Sequence, residues 1–276
     1  MNAPIAPIAT VGVDEPEVLY RVEDRIAVIT LNRPGRMNTI SGPMLNQLTE
    51  HLLAADADRD VRVVILTATG RAFCAGLDLT EATGGGHGVG SSASSATNLD
   101  LRNTPPTVLF NMGTPTICAL NGSAAGYGMD TALGCDIRLM ARGAKMAAAF
   151  TKRGILPESG GTWFLPRLIG WSMAAELVFT GRTLTAEQCL EMGLASRVVD
   201  PGSLMEEALS LAREIAANAP LAVQAAKRMM RMGLNETFDD HVHHVFLQLL
   251  PLLRSKDAAE GMRAFMEKRE ARFEGR

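Results

Sequence analysis

Apolar residues recur with two periods along this chain, and the period changes part-way. Val18, Tyr20 and Val22 share one face of a two-residue repeat, as in a half-buried strand. Arg25-Ile26-Ala27-Val28-Ile29-Thr30-Leu31 predicts a second strand, ended by the turn Asn32-Arg33-Pro34-Gly35. Over 43–57, Met44, Leu45, Leu48, Leu52 and Leu53 recur at helical spacing. The β-branched run Val61-Arg62-Val63-Val64-Ile65-Leu66-Thr67, bounded by Gly70, predicts a buried strand, and 116–120 predicts another. Strands alternating with helices imply an α/β fold of βα units around a parallel or mixed sheet. The second half is helical. Thr185-Ala186-Glu187-Gln188 and Ser203-Leu204-Met205-Glu206 both fit a capping box, and 203–273 runs almost wholly in helical pattern. Leu204, Ala208, Leu211 and Ile215 form one stripe, while Met229, Met230 and Met232 suit a core or an oligomer seam. Trp163 and Trp171 suggest packing around a helix pair.

Composition narrows the classes. Of 276 residues, 47% are hydrophobic, enough for a sizeable core and against global disorder. Lys plus Arg total 27 against 30 for Asp plus Glu, a net charge of -3. A general polyanion-binding surface, and with it a nucleic-acid partner, is therefore not expected. Cys74, Cys118, Cys135 and Cys189 form no CxxC pair, which suits reduced thiols in a cytoplasmic protein. Cys74 is read as a small buried residue. Residues 1–15 lack the basic and apolar blocks of a signal peptide and read as a loose tail. The greasy run Val245-Phe246-Leu247-Gln248-Leu249-Leu250 stops at Pro251, too short for membrane insertion. The Gly/Ser-rich stretch 84–95 has no strand feeding it and no helix close behind, so it reads as a surface loop. His241, His243 and His244 lie beside Asp239 and Asp240, but no Cys or Glu motif completes a ligand set, and no metal is expected.

Two small-residue turns follow strands. One is Gly70-Arg71-Ala72-Phe73-Cys74-Ala75-Gly76-Leu77-Asp78-Leu79; the other is Asn121-Gly122-Ser123-Ala124-Ala125-Gly126-Tyr127-Gly128-Met129-Asp130. Each allows a sharp bend and a close approach. Free N–H groups at a helix start bind acceptor oxygens, so two facing turns could grip one carbonyl oxygen. Taken singly, each could also be a tight connection and no more.

Read together, these landmarks resemble the crotonase (enoyl-CoA hydratase/isomerase) superfamily from about Val18 to the C-terminus. They are Leu31-Asn32-Arg33-Pro34 with Asn38, Ala72 through Asp78, Asn121-Gly122 through Asp130, Cys135-Asp136, Leu156 through Thr162, Leu165-Pro166-Arg167, and Phe265-Met266-Glu267-Lys268-Arg269. The resemblance implies a spiral of ββα turns over 16–200 and a helical trimerisation region over 201–276. It implies an acyl-CoA thioester substrate, coenzyme A being part of the substrate and no separate cofactor, and a homotrimer or hexamer. Position by position, it places the oxyanion donors at the Leu77 and Tyr127 backbone N–H groups, and Ala75, Asp78, Leu79, Thr80 and Arg36 along the CoA.

Chemistry beside a thioester carbonyl builds negative charge on its oxygen, and fixed amide donors stabilise that charge without reorganising. A proton must also move. The resemblance places Asp130 at the first glutamate position of the family's hydratases and Phe150, which cannot move a proton, at the second. Glu158 lies just beyond, where isomerase-like members carry an acid. If Asp130 and Glu158 both enter the pocket, hydration of a 2-enoyl-CoA follows; if Glu158 alone does, it can carry a proton between carbons, which is isomerisation. The expectation is an enoyl-CoA hydratase. The alternatives are an enoyl-CoA double-bond or ring-opening isomerase using Glu158, or a non-catalytic acyl-CoA or RNA-binding member.

Overall fold

The computed structural model describes residues 16–78 and 103–276. The expected tail 1–15, the loop 84–95, and Leu79 and Thr80 lie outside these residues. Two sheets organise the core. Strands β1 (Val18–Glu23), β2 (Ile26–Leu31), β3 (Val63–Ala68), β5 (Thr116–Leu120), β7 (Ile137–Ala141) and β10 (Arg197–Val199) form the larger, in the order β1-β2-β3-β5-β7-β10. Strands β4 (Ala72–Cys74), β6 (Ser123–Ala125), β8 (Lys145–Ala147) and β9 (Thr183–Thr185) form the smaller, in the order β4-β6-β8-β9. The chain alternates between them: β3 to β4, β5 to β6, β7 to β8. That repeated step, with helices between, is the expected spiral of ββα turns.

Burial follows the sheet. All six residues of β3 are buried, as a parallel strand covered on both faces requires. Its neighbours β2 and β5 are both parallel to it, with Val64 paired to Ala27 and to Thr116. At the antiparallel edge strand β1 the alternation is weaker than expected: Val18 is buried but Val22 is 42% exposed. Helix α1 (Gly42–Ala57) starts where Ser41 Oγ accepts from the Met44 amide, and buries Met44, Leu48, Leu52 and Ala55 against the sheet. Leu53 falls off that stripe and is 48% exposed. Helices α2 (Pro105–Asn111), α3 (Tyr127–Gly134), α4 (Gly161–Thr180) and α5 (Ala186–Glu191) complete the turns. The Thr185/Gln188 capping box forms as predicted. Helix α4 is a pair joined at a kink, with Gly170 at φ 75° and ψ 163°. Trp163 packs edge-on against Phe110 and Phe164, but Trp171, just past the kink, is 76% exposed.

The C-terminal region holds α6 (Leu204–Ala216), α7 (Pro220–Gly233), α8 (Phe238–Leu253) and α9 (Lys256–Glu267). Helix α6 buries Leu204, Ala208 and Ala212 on the sheet, with Leu211 and Ile215 packed at the rim. The second capping box does not form. Ser203 ends a 3₁₀ turn with φ -103° and ψ -4°, so its hydroxyl caps no amide. Helix α7 is pinned by buried Lys227, whose Nζ donates to Asp136 Oδ2 at 2.7 Å and to the Thr114 carbonyl at 2.9 Å. Met230 is 69% exposed, and no residue of α8 is buried within this one chain. His241 and His244 each meet Glu236, at 3.1 and 3.0 Å, and no metal-holding cluster occurs among the described residues. No helix among them is long and apolar enough to cross a membrane.

Candidate active site

The two small-residue turns lie side by side because β4 and β6 pair in parallel, Ala72 with Ser123 and Cys74 with Ala124. Asn121 Nδ2 ties them by donating to the Gly70 carbonyl at 2.8 Å. Buried Asn38 holds the first turn from below. Its Nδ2 donates to the Thr69 and Ala72 carbonyls, and its Oδ1 accepts from the Arg33 amide at 2.7 Å. Glycine makes the approach possible. A Cβ on Gly122 would sit 2.2 Å from the Arg71 oxygen, and one on Gly128 would sit 2.3 Å from the Cys74 oxygen. Gly76 has φ +105°, and a Cβ there would reach within 3.1 Å of the Ala125 oxygen and 3.9 Å of the Tyr127 nitrogen.

Those constraints aim the two amides. Leu77 forms an isolated parallel bridge with Ile40, in which the Ile40 amide donates to the Gly76 carbonyl and the Asp78 amide donates to the Ile40 carbonyl. In a parallel bridge the residue between those partners points its own N–H the other way. Tyr127 is the first residue of α3, so its N–H has no acceptor inside the helix. Neither amide has a backbone acceptor among the described residues. Both residues line one cleft, partly open to solvent, together with Ala75, Gly76, Ala125 and Gly126. Ala149, Phe150, Arg153, Ile155 and Glu158 face it.

The two candidate acids part company here. Glu158 lines the cleft, and its Oε2 is buried without a hydrogen-bond partner among the described residues. Burial raises its pKa above the ordinary glutamate value. Asp130 is fully buried in α3 and is not among the residues lining the cleft. Its Oδ2 accepts from Ser159 Oγ at 2.9 Å and from the Gly161 amide at 3.1 Å. Burial lifts its pKa to about 7, against the pull of those two hydrogen bonds. The two acids therefore do not share the pocket, because the first turns of α3 point Asp130 into the core. Phe150, which the resemblance sets at the position of the second acid, is buried and lines the cleft.

Of the expected CoA-side residues, Ala75 lines the cleft. Asp78 is buried, held by Arg36 at 3.2 Å, Arg33 at 3.4 Å and Thr39 Oγ1 at 3.2 Å. Arg36 stays half exposed above it. Sequence reasoning missed the part played by Ser159 and Gly161. Their only signal is a run of small residues after Glu158, which says nothing of an acceptor 29 and 31 residues upstream.

Known proteins resemble the chain over nearly its whole length. A family model described as enoyl-CoA hydratase/isomerase matches residues 21–276. The chain is 37% identical over 265 residues to the 1,2-epoxyphenylacetyl-CoA isomerase of Escherichia coli, covering 94% of this chain and 98% of that protein. It is 34% identical over 260 residues to the 2,3-dehydroadipyl-CoA hydratase of the same organism, covering 94% and 99%. A solved enoyl-CoA hydratase of Bacillus anthracis superposes with a TM-score of 0.88 at 33% identity, covering 94% of this chain and 100% of that one. By sequence and by fold, the chain belongs to the enoyl-CoA hydratase/isomerase family of the crotonase superfamily, and it is an enzyme of that class.

Proposed function

We propose that the cleft binds an acyl-CoA thioester with its carbonyl oxygen between the Leu77 and Tyr127 amides, and that Glu158 alone moves the proton. One observation carries this reading: among the described residues lining the cleft that the Leu77 and Tyr127 amides share, Glu158 is the one carboxylate, and its Oε2 has no hydrogen-bond partner. That arrangement best supports isomerisation. Glu158 removes a proton from the α-carbon, the electron pair passes into an enolate whose oxygen the amides stabilise, and the same carboxyl returns the proton at the γ-carbon. The double bond shifts by one position, with no net gain or loss of atoms. A raised pKa suits a carboxyl that must take and return a proton near neutrality.

Hydration of a 2-enoyl-CoA is the second reading, favoured by relatives named as hydratases. The same residue serves it. Glu158 takes a proton from water as the oxygen adds to the β-carbon, then gives that proton to the α-carbon. A purely acyl-holding or RNA-binding role has less support, because a desolvated acid facing the cleft has no use in either. The test offers the protein a 3-enoyl-CoA and a short trans-2-enoyl-CoA side by side. Faster double-bond migration supports isomerisation, and faster water addition supports hydration. Turnover of neither, or unchanged turnover in Glu158→Gln, refutes the reading.

The working unit we infer is a homotrimer or a dimer of trimers. No residue of helix α8 is fully buried in its own chain, and Val242, Phe246, Leu249 and Leu253 on it are each more than 40% exposed. An apolar surface of that extent needs a partner. Four free, buried thiols suit the reducing cytoplasm.

A further inference from the structure

The turn that carries Glu158 is bound from behind. Ser159 and Gly161 follow the acid closely, and both are tied to one helix. Ser159 Oγ and the Gly161 amide both donate to Asp130 Oδ2, at 2.9 and 3.1 Å. A Cβ on Gly161 would lie 2.4 Å from Asp130 Oδ1 and 2.9 Å from Pro157 Cβ, so no side chain fits between them. Asp130 itself is fully buried in α3, all eight residues of which are buried, and its other oxygen, Oδ1, has no hydrogen-bond partner among the described residues.

Helix α3 also begins with Tyr127, the residue whose amide is one oxyanion donor. Tyr127 and Asp130 are three residues apart, within one turn of the same helix. We propose that Asp130 is a positioning residue, which locks the Glu158 turn to the helix that supplies the Tyr127 amide and thereby sets the base against the thioester carbon. The inference rests on the reading of Glu158 as the proton carrier. It assigns Asp130 no contact with substrate. Two donors converge on one oxygen, so the turn is tied to the helix at two points. The same bonds oppose the burial that lifts the pKa of Asp130 to about 7, as expected of donors that favour the ionised form. A base displaced by about 1 Å loses on the order of 10²-fold in rate, so the holder of the turn controls kcat without touching the acyl group.

The conservative variant separates holding from proton transfer. Asp130→Asn keeps an oxygen that accepts from Ser159 and Gly161, and is expected to retain kcat within about tenfold of wild type. Asp130→Ala removes the acceptor and is expected to lose about 10²-fold in kcat with KM nearly unchanged. Ser159→Ala removes one of the two donors and should fall between them. Adding Asp130→Ala to Glu158→Gln should cost nothing further, since the effect passes through Glu158. Asp130→Asn as inactive as Glu158→Gln would overturn the proposal by making Asp130 a proton carrier. Wild-type kcat in Asp130→Ala would overturn it too. Hydrogen exchange at the Gly161 amide, measured without substrate, tests the lock alone. It should speed up in Asp130→Ala and not in Asp130→Asn, and unchanged exchange in Asp130→Ala sinks the proposal. The expected exchange together with no acyl-CoA turnover by wild type sinks the functional reading instead.

Discussion

Gly128→Ala tests whether the oxyanion geometry depends on two backbones in near contact. The added Cβ would lie 2.3 Å from the Cys74 oxygen, 2.7 Å from its Cβ and 2.8 Å from its Sγ. Ordinary contact starts near 3.4 Å, so β4 and the start of α3 must part by about 1 Å. The nearest atom is main chain, which cannot swing aside as a flexible side-chain end can. Overpacking of this kind costs about 1–3 kcal/mol. Exchanging glycine for alanine in a helix returns up to about 1 kcal/mol, less at its first turn. A net loss of about 2 kcal/mol is expected, lowering Tm by roughly 4–8 °C for a chain of this size. The larger effect falls on activity. Cys74 leads through Gly76 to Leu77, so the displacement moves one amide donor relative to the other. Losing one such donor typically costs about 10²–10³ in rate. Scanning calorimetry and turnover of an enoyl-CoA read both effects, with Gly202→Ala as the control, since a Cβ there meets nothing within 4 Å. Gly128→Ala with the Tm and turnover of that control would show that the turns do not depend on this contact, and the account of the oxyanion site would fail.

Glu158→Gln, which keeps the shape and removes the base, is expected to lower kcat by about 10²–10⁴ while leaving KM nearly unchanged. Because burial raises the Glu158 pKa above 4.5, the ionised base is lost as pH falls through that raised value, and the acid limb of kcat/KM should lie above the ordinary glutamate range. Asp130 titrates near 7 in the folded chain against 3.8 ordinarily, so across that interval the folded form holds a proton that the unfolded form has released. Its contribution to stability therefore declines as pH rises from about 4 to about 7, and denaturant midpoints of Asp130→Asn should lack that decline. Lys227→Met leaves Asp136 without its cation while Asp136 keeps its bonds to the Thr116 amide and hydroxyl; a loss of about 3 kcal/mol is expected by chemical denaturation. Phe246→Asp places a charge on the uncovered face of α8, and sedimentation should report dissociation towards monomer.

The pattern of the sequence determined the elements. Strands 26–31, 63–68 and 116–120 were legible because a sheet buried on both faces demands runs unbroken by charge, and α1 was legible because one face alone meets the core. The paired small-residue turns were legible for a related reason: close backbone approach excludes side chains, and that exclusion is written in glycine and alanine. Where the pattern misled, a local signal met a tertiary constraint. Ser203 has the spacing of a capping box, but the 3₁₀ turn before α6 rotates its hydroxyl away from the amides. Which acid lines the cleft was decided only by tertiary structure. Asp130 and Glu158 are both carboxylates beside turns, and nothing in residue type separates them. The direction in which α3 enters the core buries one and the path of 157–161 opens the other to the cleft. A side chain's chemistry is local, whereas its access to substrate depends on segments far apart in the chain, and only their packing brings those together.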